Sequence, residues 1–306
     1  MIVVTGAAGF IGGNLVTALS DAGEDVLAVD SCHELPDRGD GDYLEKDAFA
    51  QRLETDGRFA ASIRAILHQG ACSDTSIRDR RFLRENNTRF SRRLAQASLR
   101  HGIQFIYASS AAVYGTTPGR EGPMNEYGHF KWVFDRYVRT FLAGAPSQIV
   151  GLRYFNVYGP GESHKASMAS IVFQFHLLLE RTGQVRLFAG SHGWDDGEQR
   201  RDFVHIDDVV DVNLWFLDHP EWGGIYDVGT GCSRSFNDVA ELAIDAYGSG
   251  SIQYVPMPRD LQARYQSFTQ ADLAPLRRVG YSRPFLALEE GVPRYVEQLK
   301  RVHAIA

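Results

Sequence analysis

The chain of 306 residues has few cysteines, no excess of positive charge and no long apolar run. Its three cysteines, Cys32, Cys72 and Cys232, form no C-x-x-C pair. This argues against a disulfide framework or a structural metal site and favours reduced thiols. A net charge of −6 argues against general nucleic-acid binding, which requires a basic face. Because no stretch approaches the ~20 apolar residues of a membrane span and no leader peptide is evident, we expect a cytoplasmic protein without a membrane partner.

Short apolar runs alternate with amphipathic stretches through the first half of the chain. Strands are predicted at 2–5, 26–29, 65–68, 104–108 and 148–152, and helices at 12–22, 80–101 and 128–142. This alternation predicts an α/β fold, a Rossmann-type doubly wound parallel sheet with a smaller C-terminal α/β substrate lobe. We assign residues 1–158 to a dinucleotide-binding domain to which 206–232 return, and residues 159–205 and 233–306 to the lobe.

A glycine-rich turn separates the first predicted strand from the first helix. Gly6 would permit the tight turn, Gly9 the approach of a pyrophosphate, and Gly12 close packing of the helix on the strand. Asp30, at the end of the second strand, could accept hydrogen bonds from an adenosine ribose. The alternative is a turn without a ligand, which the strand, helix and Asp30 together disfavour.

Tyr127 and Lys131 stand four residues apart in a predicted helix, so their side chains share one face. A tyrosine is a poor acid–base catalyst at neutral pH, and a neighbouring ammonium is expected to lower its pKa. Ser110 follows a predicted strand, at the edge where open α/β sheets bind ligands. The order of glycine turn, Ser110 and Tyr127/Lys131 favours a catalytic site over a surface tyrosine with an ordinary neighbour.

Several longer motifs resemble one family throughout nearly the whole chain. They are the runs at 68–73, 153–160, 161–170, 201–204, 211–217 and 264–273, of which H-K-A-S-M-A-S at 164–170 is the most specific. They resemble the ADP-L-glycero-D-manno-heptose 6-epimerases, within the extended short-chain dehydrogenase/reductase superfamily of nucleotide-sugar epimerases and dehydratases. The resemblance implies a homo-oligomeric isomerase that inverts C6″ of ADP-D-glycero-β-D-manno-heptose for the lipopolysaccharide core. It also implies a tightly held NADP that is reduced and reoxidised within one cycle.

The resemblance also implies roles for single residues. Tyr127 would remove the C6″ hydroxyl proton, Ser110 would steady the oxygen, and Lys165 would serve as the acid–base group on the opposite face, unless it only pairs with the ADP phosphates. Residues expected at the cofactor are Gly6, Gly9, Phe10, Ile11, Gly12, Asp30, Ser31, Lys46, Gln69, Gly70, Ala71, Cys72, Ser73, Asn86 and Lys131. Residues expected at the substrate are Asn156, His164, Ala166, Phe173, Phe188, Ala189, Gly190, Ser191, Arg201 and Tyr265.

Departures from the family pattern leave alternatives open. The segment between Asp30 and Asp42 is shorter than the family norm, and Arg38 is only a candidate for a cation found there, so both NADP and NAD remain candidates. Residues 192–199 are lengthened. The rival functions are an epimerase or dehydratase of another nucleotide sugar and a non-catalytic dinucleotide-sensing regulator. His205 with two following aspartates is better explained by the start of a helix than by a metal site.

Overall fold

The computed structural model describes residues 1–31, 42–72, 77, 79–117, 119–262 and 265–303. Its strands are β1 (Ile2–Thr5), β2 (Val26–Asp30), β3 (Asp42–Glu45), β4 (Ala65–His68), β5 (Gln104–Ser110), β6 (Ile149–Tyr154), β7 (Asn156–Tyr158), β8 (Gln184–Phe188), β9 (Arg200–His205), β10 (Gly224–Val228), β11 (Ser233–Ser235) and β12 (Ser251–Val255). Its helices are α1 (Phe10–Asp21), α2 (Lys46–Thr55), α3 (Gly57–Ala61), α4 (Arg80–Leu83), α5 (Phe90–His101), α6 (Glu126–Arg139), α7 (Ile171–Thr182), α8 (Ile206–Asp218), α9 (Phe236–Tyr247), α10 (Arg259–Gln262), α11 (Ala274–Arg278) and α12 (Leu288–His303).

Seven parallel strands form the central sheet in the order β10-β6-β5-β4-β1-β2-β3. The order reverses between β1 and β4, which is the doubly wound arrangement that the sequence predicts. The predicted Rossmann-type fold is therefore confirmed. The β3 strand and the α2 and α3 helices were not predicted, since β3 is short, polar and partly exposed.

Helices cover both faces of this sheet. Ile2 and Val4 of β1 pack in a cluster that includes α1 and α8, whereas Val3 packs on the other face among residues of α2, α3, α5 and α6. All three side chains are fully buried. Strands buried on both faces have continuous apolar runs, and this explains why they could be recognised from the sequence.

A smaller lobe contains a three-stranded sheet, β11-β9-β7, a two-stranded parallel pair of β12 and β8, and the helices α7, α9 and α12. Its core includes Phe175, Val239 and Val292. Leu276 and Tyr281, which follow in the chain segment assigned to this lobe, instead pack in the core beside α8. The domain division from the sequence stays a prediction.

Residues 80–101, predicted as one helix, contain a π-helical turn (Arg84–Arg89) between α4 and α5. π turns within helices are rare and occur often at functional sites. In the part of the chain that the structure describes, no helix combines the length and apolar character needed to cross a membrane. Cys72 and Cys232, the two cysteines among the described residues, form no disulfide with each other.

Candidate active site

A cavity of about 1030 Å³ opens at the carboxyl ends of β1, β2, β4, β5 and β6. This is the edge at which open α/β sheets bind ligands. The sequence-predicted residues that line it are Gly6, Gly9, Phe10, Ile11, Gly12, Asp30, Ser31, Lys46, Gln69, Gly70, Ala71, Cys72, Asn86, Ser110, Tyr127, Lys131, His164 and Lys165. One cavity thus brings together all four predicted catalytic residues and every predicted cofactor residue except Ser73.

The glycine turn has the geometry that an anion site requires. Gly6 has a φ of +72° and lies so close to the next loop that a Cβ there would stand 2.6 Å from Gly70 N. A Cβ on Gly12 would stand 2.0 Å from Gly6 O, which confirms the close packing of α1 on the turn. Gly9 precedes α1 without a side-chain cap, and Phe10 and Ile11 line the cavity, so the free N–H groups of the first turn can bind a pyrophosphate.

Asp30 connects the end of β2 to the glycine turn. Its carboxylate accepts hydrogen bonds from Ala8 N at 2.9 Å and from Ser31 N at 2.7 Å. On the neighbouring strand, Glu45 pairs with Asp30, and the next residue, Lys46, donates from Nζ to Asn86 Oδ1 at 2.6 Å. This end therefore offers both a carboxylate and a cation. Arg38 and Ser73, also considered from the sequence, lie outside the described residues.

The floor of the cavity depends on a hydrogen-bond chain that the sequence analysis missed. Thr5 Oγ1 lies 2.6 Å from His68 Nδ1, and His68 Nε2 lies 2.7 Å from Ser91 Oγ, which donates to Asn87 O in the π turn. Asn87 in turn holds both the N–H and the carbonyl of Cys72, each at 2.8 Å. Burial lowers the pKa of His68 to about 3, and the Lys131 charge adds to the shift, so His68 is neutral.

Tyr127 is held at the first turn of α6, directly beside the end of β5. Gly128 makes this approach possible, because a Cβ there would stand 2.2 Å from Ala112 O. Burial raises the pKa of Tyr127 to about 12, and a hydrogen bond with Ser110 opposes this only partly. The expectation that Lys131 lowers the pKa of Tyr127 is therefore wrong for the protein without a bound ligand. Lys131 Nζ instead donates to Ala108 O at 2.6 Å and lies 5.8 Å from the centre of the Tyr127 ring.

Only four of the 32 lysines and arginines are lysines, and three of these four line the cavity. Burial lowers the pKa of Lys131 to about 8, partly opposed by the charge of Asp135. Burial also lowers the pKa of Lys165, and the charge of Glu162 acts in the opposite direction. An arginine cannot lose its proton in this range, whereas these lysines can take part in proton transfer.

The predicted substrate residues outside this cavity lie in several places. Gly190 and Ser191 line a second depression of about 930 Å³ together with residues of the lengthened 192–199 segment. Phe173 lies in the core of the smaller lobe, and Asn156 is exposed on β7. Ala166 has a φ of +48°, which is strained for any residue other than glycine. Phe188, at the end of β8, packs edge-on against the ring of Tyr265, and Ala189 N donates to Val255 O.

Arg201 is a buried cation of the smaller lobe. Its side chain is 8% exposed, its guanidinium stands 4.9 Å from the Tyr265 ring centre and 5.7 Å from that of Phe236, and its Nη1 donates to Arg200 O. Its planar fork suits a diphosphate. His205 lies nearby in sequence, and its Nδ1 accepts from Asp207 N at the start of α8. Within the described ranges, no group of three or more His, Cys, Asp or Glu could hold a metal ion.

Other residues that line the cavity were not predicted from the sequence to bind cofactor or substrate. They are Thr5, Ala8, Val29, Phe82, Phe90, Ala108, Ser109, Tyr154, Phe155, Val157 and Met168. Among the residues that the structure describes, Ser109 Oγ is buried without a hydrogen-bond partner, and a polar ligand could supply one. Its position at the end of β5, beside Ser110, was the signal that could have identified it. Together with the free N–H groups of α1, it makes the cavity a good fit for a dinucleotide.

Comparison with known proteins agrees with this geometry. Residues 2–229 match the model of the NAD dependent epimerase/dehydratase family. The chain belongs to this family. Its relatives include ADP-L-glycero-D-manno-heptose-6-epimerases from Alkalilimnicola ehrlichii, 48% identical over 100% of this chain and 99% of the relative, and from Cupriavidus pinatubonensis, 49% identical over 97% and 98%.

Solved structures of the epimerase/dehydratase family have the same fold. The Helicobacter pylori ADP-L-glycero-D-manno-heptose-6-epimerase has a TM-score of 0.80 at 30% identity, covering 99% of this chain and 96% of that one. The Thermus thermophilus UDP-glucose 4-epimerase in complex with NAD has a TM-score of 0.81 at 25% identity, covering 98% of each. Membership of the epimerase/dehydratase family and the cavity together support a nicotinamide dinucleotide as cofactor.

Proposed function

We propose that the chain is an isomerase that inverts C6″ of ADP-D-glycero-β-D-manno-heptose to give ADP-L-glycero-β-D-manno-heptose, through transient oxidation of C6″ to a ketone. The observation that supports this most strongly is the placement of Tyr127 and Lys165 in one cavity with the dinucleotide turn. Inversion of a carbinol carbon requires hydride to leave C6″ from one face and return to the other. With one fixed cofactor the sugar must therefore turn over, and a second acid–base group is needed to reach the C6″ oxygen in its second orientation. The substrate in this proposal is taken from the heptose 6-epimerases, which match nearly the whole chain.

The cofactor in this proposal is NADP, with NAD as the alternative. The glycine turn and Gln69–Cys72 would hold the pyrophosphate and nicotinamide halves, and Asp30, Ser31 and Lys46 the adenosine ribose. Lys46 is the cation that favours a 2′-phosphate, because it lines the cavity on the side of Asn86. The bound dinucleotide supplies the acceptor and donor of the C6″ hydride.

The residues of the chain provide proton transfer and orientation. Ser110 donates a hydrogen bond to the Tyr127 oxygen and so stabilises the phenolate, the form of the tyrosine that accepts the C6″ hydroxyl proton. Lys131 keeps a positive charge beside that ring. Because the pKa of Tyr127 is about 12 in the chain itself, the phenolate needs further positive charge from the loaded site.

Lys165 comes from the loop that precedes α7 and lies 5.2 Å from the Phe10 ring centre. It therefore stands over the glycine turn, whereas Tyr127 stands at the end of β5. In the proposal Lys165 protonates or deprotonates the oxygen when the opposite face of the ketone is presented. Arg201 and Tyr265 bind the ADP diphosphate from the smaller lobe.

A substrate assay tests this proposal. The purified protein, with no added coenzyme, should convert ADP-D-glycero-manno-heptose, and a Lys165→Met variant should keep its coenzyme but lose epimerisation. Conversion of UDP-glucose or UDP-galactose instead would overturn the substrate assignment. Retention of coenzyme with no conversion of either sugar would favour a sensing role. Mass spectrometry of the ligand released on denaturation distinguishes NADP from NAD.

The remaining parts of the proposal follow from the resemblance to the heptose 6-epimerases. They are a cytoplasmic location, a homo-oligomer and a place in synthesis of the lipopolysaccharide core. Light scattering after gel filtration checks the oligomer, and a mass equal to one chain would contradict it.

A further inference from the structure

The loop between β7 and α7 carries His164 and Lys165 into the cavity, and it is held from within by one buried carboxylate. Glu162 has no solvent exposure. Its carboxylate accepts from Gly159 N at 3.3 Å, from Ser170 N at 2.5 Å and from Ser170 Oγ at 2.6 Å. The Tyr295 hydroxyl of α12 also hydrogen-bonds to it. Every one of these groups donates to Glu162, so the carboxylate fastens both ends of the loop to the core of the smaller lobe.

The loop is fastened at other points as well. Asn14 Nδ2 of α1 donates to Pro160 O at 3.0 Å, and Lys165 N donates to Glu162 O at 3.0 Å. Gln174 Nε2 donates to Ala166 O at 2.7 Å. Ala166 itself has a φ of +48° and a ψ of −121°. A non-glycine residue persists in such a conformation only when its surroundings fix it, and such strain often marks a functional segment.

We propose that Glu162 is the positioning residue of Lys165: by closing the loop 159–170 around the strained Ala166 turn, its carboxylate holds the Lys165 ammonium over the glycine turn. The inference rests on the proposed role of Lys165. Ser170 links the Glu162 carboxylate to α7, because its hydroxyl donates to Glu162 and accepts from Phe173 N at the first turn of this helix.

Charge adds to this positioning. The Glu162 carboxylate raises the pKa of Lys165, against the larger opposite effect of burial. The uncharged Phe10 ring also lies next to the Lys165 ammonium. Replacing Glu162 by glutamine removes the charge and one acceptor, whereas replacing Ser170 by alanine leaves the charge and loosens the loop. The two variants therefore separate charge from geometry.

The scarcity of lysine permits a direct measurement. Protein labelled with ¹³C at lysine gives four Cε resonances, and Lys165→Met assigns the one of interest. In the protein as purified, the Lys165 midpoint should move to lower pH in Glu162→Gln and stay at its wild-type value in Ser170→Ala. Turnover should fall at least tenfold in the first variant and severalfold in the second. Glu241→Gln, an exposed change on α9, is the charge control and should alter neither quantity.

A Lys165 midpoint and a turnover that both match the wild type in Glu162→Gln would overturn the proposal. If this variant does not fold, Ser170→Ala carries the test, and wild-type turnover there would overturn the proposal equally. The Lys165 titration is measured without the sugar nucleotide, so it tests the role of Glu162 even if the substrate assignment is wrong. Absence of heptose conversion in the wild type would count against the proposed function and leave the coupling of Glu162 to Lys165 intact.

Discussion

The cations that line the cavity differ from those on the surface in whether they can lose a proton near neutral pH. Surface cations such as Arg89 and Arg294 are arginines in ion pairs, whereas Lys131 and Lys165 are lysines whose pKa values burial lowers. A guanidinium holds charge at any working pH, but an ammonium in an apolar wall can lose it. The sequence predicted these two positions and Tyr127, yet it could not predict the pKa of the phenol, because the burial of a side chain depends on the fold.

Tyr127→Phe should lower turnover by roughly 10³-fold, because it removes the one oxygen that can exchange the C6″ hydroxyl proton. Coenzyme retention and the melting temperature should remain at wild-type values, because the phenylalanine ring can fill the same space as the tyrosine ring. Steady-state kinetics measure the loss, and Tyr137→Phe on the same helix, outside the cavity, serves as the matched control. A reduction of less than tenfold would remove Tyr127 from the mechanism.

Turnover should also report the charge of Lys131. Burial lowers its pKa to about 8, so the ammonium is present below that pH and is lost above it. The rate should therefore decline as the pH rises through about 8. In Lys131→Arg the charge persists at high pH. The rate of this variant should be lower than that of the wild type, but it should not decline as the pH rises through about 8. An unchanged alkaline decline in the arginine variant would assign it to another group.

At the scale of elements, the predictions succeeded where strands are apolar on both faces and failed where they are short and polar. β1 was predicted with its observed bounds, whereas β11 and β12 have three and five residues with mixed or exposed side chains. α9 carried a signal that was overlooked, the capping box between Ser235 and Asp238. The π turn could not be predicted, because its register depends on Asn87 reaching Cys72 in another element.

The chain of hydrogen bonds from β1 to the π turn should make stability depend on pH. His68 is neutral in the fold with a pKa of about 3, but it titrates near 6.5 when unfolded. The unfolded chain therefore binds an extra proton between these values. The stability from His68 is complete above about pH 6.5 and is lost as the pH falls, by up to about 1.4 kcal/mol per pH unit.

Urea unfolding at pH 7.5, 6 and 5 measures this loss. His68→Gln should be less stable than the wild type at pH 7.5 but should lose less of its remaining stability on acidification. His129→Gln, on α6 outside the cavity, is the matched histidine control and should keep the wild-type dependence. Parallel acid dependence in His68→Gln and the wild type would show that other groups dominate.

At the scale of the whole molecule, the cavity lies between the large sheet and the loop 159–170 that leads into the smaller lobe. The cofactor turn and Tyr127, on α6, belong to the part of the fold built around the large sheet, whose alternation of strands and helices the sequence shows. Lys165 and Arg201 come from the smaller lobe, whose elements return from distant parts of the chain. Local patterns cannot predict such long-range placement, and only the longer motifs that resemble the heptose 6-epimerases indicated it.

Asp202 joins the parts of the chain that meet at this boundary. It lies on β9 with no exposure and accepts from Thr230 N at 2.7 Å, Gly231 N at 2.9 Å and Ala271 N at 3.0 Å. Thr230 and Gly231 follow β10 of the large sheet, and Ala271 ends the segment that begins at Tyr265. One carboxylate thus connects β9, which also carries Arg201, to the loop after β10 and to the segment that follows Tyr265.

Asp202→Asn should therefore weaken substrate binding more than it slows chemistry. The amide cannot accept from all these donors, and one unpaired buried N–H costs about 1–3 kcal/mol. We expect KM to rise at least fivefold, kcat to fall less than threefold, and ADP to raise the melting temperature less than in the wild type. Asp245→Asn, exposed on α9, is the matched control. A melting temperature that falls while KM and the ADP response stay at wild-type values would show that Asp202 only stabilises the fold and does not position Arg201 and Tyr265.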